Sequence, residues 1–195
     1  MLSTAGIRPK VSLVRSLISD QTLANLHKLL NSAGLVFDVA EGLGTGAAAT
    51  SSIVLVGAGG FANQQITADL KWIAPSDVAS HDIGVIARVS TVHADTECDY
   101  LYARVDGGVA KISKVIGGAF TTLTSNAFVV PIDTVVTVRL SCVGTTITAV
   151  FTCAGVPGSP LTLSTTNADV PQGGLMGMRS LTSTVWMRSF TAEEL

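Results

Sequence analysis

The chain has 195 residues, of which 47% are hydrophobic and only 13% charged; this suffices for one sandwich with a full core but is short for two independent domains. A formal net charge of -2, with twelve scattered Lys and Arg, leaves no electrostatic footprint for nucleic acid. No apolar run approaches the roughly 18 uninterrupted residues that cross a bilayer as a helix, so membrane insertion is not expected.

Gly, Ala, Ser and Thr take the places that charges would fill, a composition suited to a surface partly covered by neighbouring subunits. Residues 1–34 read as an attachment segment. Its first part is an arm in which Arg8, Val11, Leu13, Val14, Leu17 and Ile18 are the candidate partner-docking residues, and Arg8, Lys10 and Arg15 interrupt anything resembling a signal-peptide core. A short helix is expected next, because Leu23, Leu26, Leu29 and Leu30 share one helical face, with Ser19 or Asp20 as N-cap and Gly34 as the stop.

From residue 35 to 195 the pattern changes to short runs rich in Val, Ile and Thr, punctuated by Gly, Pro, Asn and Asp, as expected of strands and turns. Strands are predicted at 36–39, 52–56, 65–73, 82–90, 99–105, 109–116, 120–123, 134–143, 146–153, 174–178 and 185–190. Gly42–Thr50 and Gly155–Pro160 read as loops. Asp106-Gly107-Gly108 and Gly144-Thr145 supply turns for two successive hairpins, which argues for antiparallel sheets. In the second hairpin Val136, Val138, Leu140 and Cys142 face one way while Thr137, Arg139 and Ser141 face the other, giving one core face and one wetter face. Together these features predict an all-β sandwich of two antiparallel sheets.

Three cysteines, Cys98, Cys142 and Cys153, form an odd set without C-x-x-C spacing. The hairpin places Ile147 opposite Cys142 and Cys153 far down the ladder, so unpaired buried thiols are expected. The segment Ile53 to Ala62 contains Gly57-x-Gly59-x-x-Ala62, the start of a dinucleotide fingerprint, but Gln65–Trp72 alternates like a strand where that motif needs a helix. No cofactor is expected. His93, Asp95 and Glu97 would share one side of an extended segment and could hold a divalent cation, although a solvated loop is the commoner meaning of such a run.

Glycoside hydrolysis needs two carboxylates across a cleft, and the only glutamates are Glu41, Glu97, Glu193 and Glu194, with no acidic ladder on a strand. No Gly-x-Ser-x-Gly elbow is present for acyl transfer. An enzyme is therefore not expected. Trp72, Tyr100, Tyr102 and Trp186 are candidate sugar-stacking residues if they surface in a groove, although aromatics on strands more often pack in cores.

The succession Asp82 to Arg88, Tyr100 to Gly108, Lys111 to Leu123, Val138 to Phe151 and Gly173 to Met178 resembles the concanavalin A-like lectin/glucanase superfamily, in the laminin-G-like form found in bacteriophage virion proteins. The resemblance covers roughly residues 37–195 and implies a jelly-roll of two curved sheets used for sugar binding, adhesion or assembly. The carboxylate ladder of the glucanases and the metal ligands of the legume lectins have no counterpart here. With the arm and helix lying outside the resemblance as an added attachment device, the expectation is a non-enzymatic virion structural protein, such as a capsid decoration or head or tail appendage subunit, anchored through its N-terminal arm. Its expected partners are other virion proteins and copies of itself, with a carbohydrate-binding module as the alternative.

Overall fold

The structure is a computed structural model that describes residues 10–14, 27–29, 35–38, 42–45, 52–56, 61–72, 82–89, 99–181 and 185–195, with side chains at 61–71, 82–89, 99–180 and 188–195. All elements among them are strands: β1 (Lys10–Val14), β2 (His27–Leu29), β3 (Leu35–Asp38), β4 (Gly42–Thr45), β5 (Ser52–Val56), β6 (Gln64–Trp72), β7 (Asp82–Val89) and β8 (Tyr100–Asp106). The chain continues through β9 (Val109–Ile116), β10 (Ala119–Ala127), β11 (Thr134–Val143), β12 (Thr146–Cys153), β13 (Leu161–Thr166), β14 (Leu175–Leu181) and β15 (Val185–Glu194).

They form two antiparallel sheets. One has the order β13-β12-β11-β6-β15-β4-β3, with β1 also paired to β15; the other has the order β10-β9-β8-β7-β14-β5-β2. Successive strands β5, β6 and β7 alternate between the sheets, as do β13, β14 and β15, and this winding makes the sandwich a jelly-roll.

The dry interior follows from period-two alternation. Val136, Val138, Leu140 and Cys142 on β11 meet Ile83, Val85 and Ala87 on β7 and Leu101, Ala103 and Val105 on β8 in one core. On the other side of β11 and its neighbours, Asp69 accepts hydrogen bonds from Thr137 (2.6 Å) and Ser189 (2.7 Å). Hydroxyl–carboxylate rows of this kind let a sheet face water with few charges.

Two-residue turns close the hairpins. Gly107 and Gly108, with φ of 58° and 73°, join β8 to β9, and Gly117 and Gly118, with φ of 53° and 78°, join β9 to β10. Both turns need left-handed backbone at each position, which glycine adopts without a Cβ clash. Cys142 lies opposite Ile147, and Cys142 and Cys153 are buried free thiols, as the hairpin register requires.

Four elements correct the sequence reading. Gly42–Thr45, predicted as loop, is a strand, because β3 on one side and β15 residues Val185–Met187 on the other supply backbone partners that its glycines do not advertise. Leu161–Thr166 adds to β12, and Lys10–Val14 of the arm pairs with β15 residues 189–193. Within the predicted helix, His27–Leu29 is a strand on β5; residues 19–26 and 30 lie outside the described residues. The leucine spacing is helical, and backbone pairing of residues 27–29 with Ile53–Leu55 overrides it there.

One irregularity matters below. Leu175 pairs with Val89 and Gly177 with Ile86, so Ala87 and Arg88 together oppose Met176 in a β-bulge, and Arg88 has a left-handed φ of 58°. A bulge shifts the alternation and re-aims the side chains beyond it.

Candidate functional site

The outer face of the seven-stranded sheet carries a charged cluster whose position is set by register. Arg179 on β14 lies opposite Gly84 on β7, Gly84 opposite Arg104 on β8, and Arg104 opposite Lys111 on β9. Three cations therefore form a row across the sheet. In the neighbouring row Asp82 lies directly opposite Asp106. Two carboxylates so placed repel unless cations separate them.

Arg104 separates them. Its guanidinium bonds Asp82 and lies 3.5 Å from Asp106, while Lys111 reaches Asp106 at 2.7 Å and Arg179 reaches Asp82 at 3.3 Å. Asp82 also accepts a hydrogen bond from the Tyr102 hydroxyl (3.1 Å), which bonds the Arg179 carbonyl as well (2.9 Å). With Asp82 and Arg179 buried, this network sits in low dielectric, where each pairing is strong and each missing partner costly.

Gly84 makes the convergence possible. A Cβ there would stand 1.9 Å from the carbonyl oxygen of Ala103 on the next strand, so only glycine permits this approach of β7 to β8. Its missing side chain also clears the space between the two arginines.

Two aromatic rings flank both guanidinium groups. Arg104 and Arg179 each lie 5.5 Å from the Tyr102 ring centroid, and 5.2 Å and 4.7 Å respectively from that of Phe120. Phe120 is on β10, four strands from β14 in sheet order. In a flat sheet these strands would stand about 19 Å apart at ~4.8 Å per step, so contact between Phe120 and Arg179 requires the face to be concave. Phe120 remains 43% exposed. Beside it the Nε of Arg104 and the Oγ of Ser113 are buried without hydrogen-bond partners.

The sequence-predicted aromatics divide. Tyr100 and Tyr102 are buried and packed edge to face at 6.2 Å, so neither offers a ring to solvent; Tyr102 is a wall of the site instead of a stacking platform. Trp72 and Trp186 have their backbones on adjacent strands of the other sheet, and their side chains lie outside the described residues, as do Arg8, Leu17, Ile18, His93, Asp95 and Glu97. Val11, Leu13 and Val14 sit on β1, paired with β15. No cluster of three metal-ligating side chains occurs among the described residues. The strand β6 follows Ala62, where a dinucleotide site would need a helix.

The sequence reading did not single out Phe120, Asp82, Arg104 or Arg179 as site residues. Asp82 and Arg179 are 97 residues apart, and only sheet register joins them.

Burial leaves a pH signature. It pushes the Cys142 thiol from 9.0 to about 12, against a weaker opposing pull from Arg88, and it raises the Tyr102 hydroxyl well above 10.0, with the Asp82 carboxylate adding to the rise. Above pH 9 the unfolded chain releases these protons while the folded chain keeps them, so the unfolded state gains and stability falls with pH. Denaturant unfolding at about pH 11 should show a loss of roughly 2 kcal/mol relative to pH 8. A flat profile would contradict the burial of these groups.

No family model matches the chain, and no curated protein matches it in sequence. Solved structures do. The carbohydrate-binding module CBM66 from Bacillus subtilis superposes with a TM-score of 0.70 at 14% identity, over 87% of this chain and 96% of the module. The exoplasmic/lumenal domain of VIP36, in its Ca2+/Man3GlcNAc-bound form, gives 0.63 at 9% identity over 87% and 89%, and the seed lectin of Lotus tetragonolobus gives 0.60 at 11% over 85% and 94%. A xylan beta-1,4-xylosidase from Bacillus halodurans is matched over only 32% of its length, at a TM-score of 0.52 and 16% identity. At such identities the likeness is one of fold, and the fold of this chain is the concanavalin A-like jelly-roll of lectins and carbohydrate-binding modules.

Proposed function

We propose that the chain is a non-catalytic carbohydrate-binding domain whose ligand lies on the concave face of the seven-stranded sheet. The observation that carries this reading is the exposed Phe120 ring beside the Arg104 guanidinium, whose side chain keeps a small exposed fraction. A sugar ring offers an apolar C–H face to the first and hydroxyls to the second. Asp82 and Asp106 are held by Arg104, Arg179 and Lys111, so neither is free to act as the acid or base of glycoside hydrolysis.

On a glycan array the wild-type protein is expected to retain a defined set of oligosaccharides. Phe120→Ala, which removes a half-exposed side chain and leaves the fold intact, should weaken the best of them at least tenfold, about 1.4 kcal/mol. Equal binding by the variant, or no glycan retained by the wild type, would remove the reading.

A second reading, a virion structural subunit that associates with copies of itself or other virion proteins, is favoured by one observation. β10 is the exposed edge of its sheet, nine residues long, with no charged residue and no proline. A β-bulge between Thr122 and Thr124 interrupts this edge, but neither charge nor proline guards it, and such an edge can accept strand addition by another chain. Native mass spectrometry should then find oligomers that Thr122→Pro disperses; a monomer at all concentrations would count against this reading.

A further inference from the structure

A second site lies at one end of the sandwich, around the β-bulge. Arg88 is fully buried there, yet its Nη2 donates only to the carbonyls of Gly144 (2.6 Å) and Ala62 (3.3 Å). Its Nε is buried without a hydrogen-bond partner, and among the described residues no carboxylate lies within ion-pair distance of it. A buried full charge facing only neutral dipoles is costly, and folded proteins normally supply a counter-ion.

The backbone is arranged to put Arg88 in this place. Its left-handed φ is held by the bulge, and its N–H donates to the side chain of the buried Gln64 at 3.0 Å. Strained backbone held by its surroundings is a pointer to function. Next to Arg88 is a pocket of about 270 Å³, also lined by Gly144, Thr145, Asn167, Val170 and Gln172. Its wall is preformed: the Asn167 N–H donates to the Thr145 carbonyl at 2.9 Å, and the Asn167 side-chain oxygen accepts from the N–H groups of Asp169 and Val170, both at 3.1 Å.

We infer that this pocket binds a carboxylate carried by an acidic sugar unit of the hexuronate type, with Arg88 as counter-ion and Thr145 and Gln172 facing the ring hydroxyls. One guanidinium matches one negative charge, which favours a monoanion over a phosphate dianion. The pocket volume suits one ring, not a chain. The sugar half of the assignment rests on the carbohydrate-binding reading, whereas the carboxylate half rests on Arg88 alone.

The test is titration of the full chain at low salt with D-glucuronate, D-glucose and acetate, followed by calorimetry. Glucuronate is expected to bind at least tenfold more tightly than either of the others. Because Arg88→Gln removes hydrogen bonds and could unfold the chain, the decisive variant is Gln172→Glu, which keeps Arg88 and places a carboxylate in the pocket. It should abolish glucuronate binding and raise the melting temperature. No saturable glucuronate binding by the wild type, or unchanged binding by Gln172→Glu, would overturn the proposal; acetate binding as tightly as glucuronate would overturn the sugar assignment. The concave-face reading is judged by the array and Phe120→Ala, and this pocket by glucuronate titration and Gln172→Glu, so the two can fail separately.

Discussion

Gly84→Ala should be the most damaging single-methyl change in the described fold, with a loss above about 4 kcal/mol and a melting temperature lower by roughly 8 °C or more. The added Cβ would meet the Ala103 carbonyl oxygen at 1.9 Å and the Arg104 Cα at 2.7 Å. Both obstacles are backbone, so no rotamer change relieves them, and β7 must part from β8. That separation breaks the row that aligns Arg179, Arg104 and Lys111, so the site fails along with the strand pairing. Recovery of Gly84→Ala with wild-type unfolding in urea would show that the two strands do not approach this closely.

Asp82→Ala should cost about 3 to 5 kcal/mol, the range for removing one partner of a buried ion pair. Asp82 is 1% exposed and holds Arg104, Arg179 and the Tyr102 hydroxyl. Without it Arg179 is left buried against two aromatic rings with no carboxylate among its described partners, and Arg104 keeps only Asp106 at 3.5 Å. The contrasting change is Asp133→Ala. Asp133 is 74% exposed and sits 3.7 Å from Lys71, where solvent screening should hold the loss below about 1 kcal/mol. Equal losses from the two variants would mean that the Asp82 network is not buried as described.

The β11–β12 hairpin was legible because alternation from Val136 to Cys142 and a glycine turn at residue 144 encode its register locally. β4 was not legible: two of its four residues are glycine, and it is held as a strand between the nearby β3 and β15 residues more than a hundred positions away. The leucines from 23 to 30 repeat at helical spacing, yet residues 27–29 are strand because pairing with β5 overrides the local pattern. Within the site, Tyr102 drew attention as an aromatic, but its buried role depends on Asp82 and on Arg179 beyond two sheet crossings. One signal was present and passed over. Arg88 interrupts an apolar strand from Ile83 to Val89, and a charge in such a run marks either a re-aimed bulge or a bound partner.

The most direct measurement is backbone amide mapping by NMR while the oligosaccharides retained on the array are added to labelled protein. Shifts are expected to cluster on β8, β9 and β10 around Arg104, Ser113 and Phe120, with the outer face of β11 and β12 silent. Shifts confined to that opposite face, or none at millimolar sugar, would contradict a ligand surface on the concave sheet.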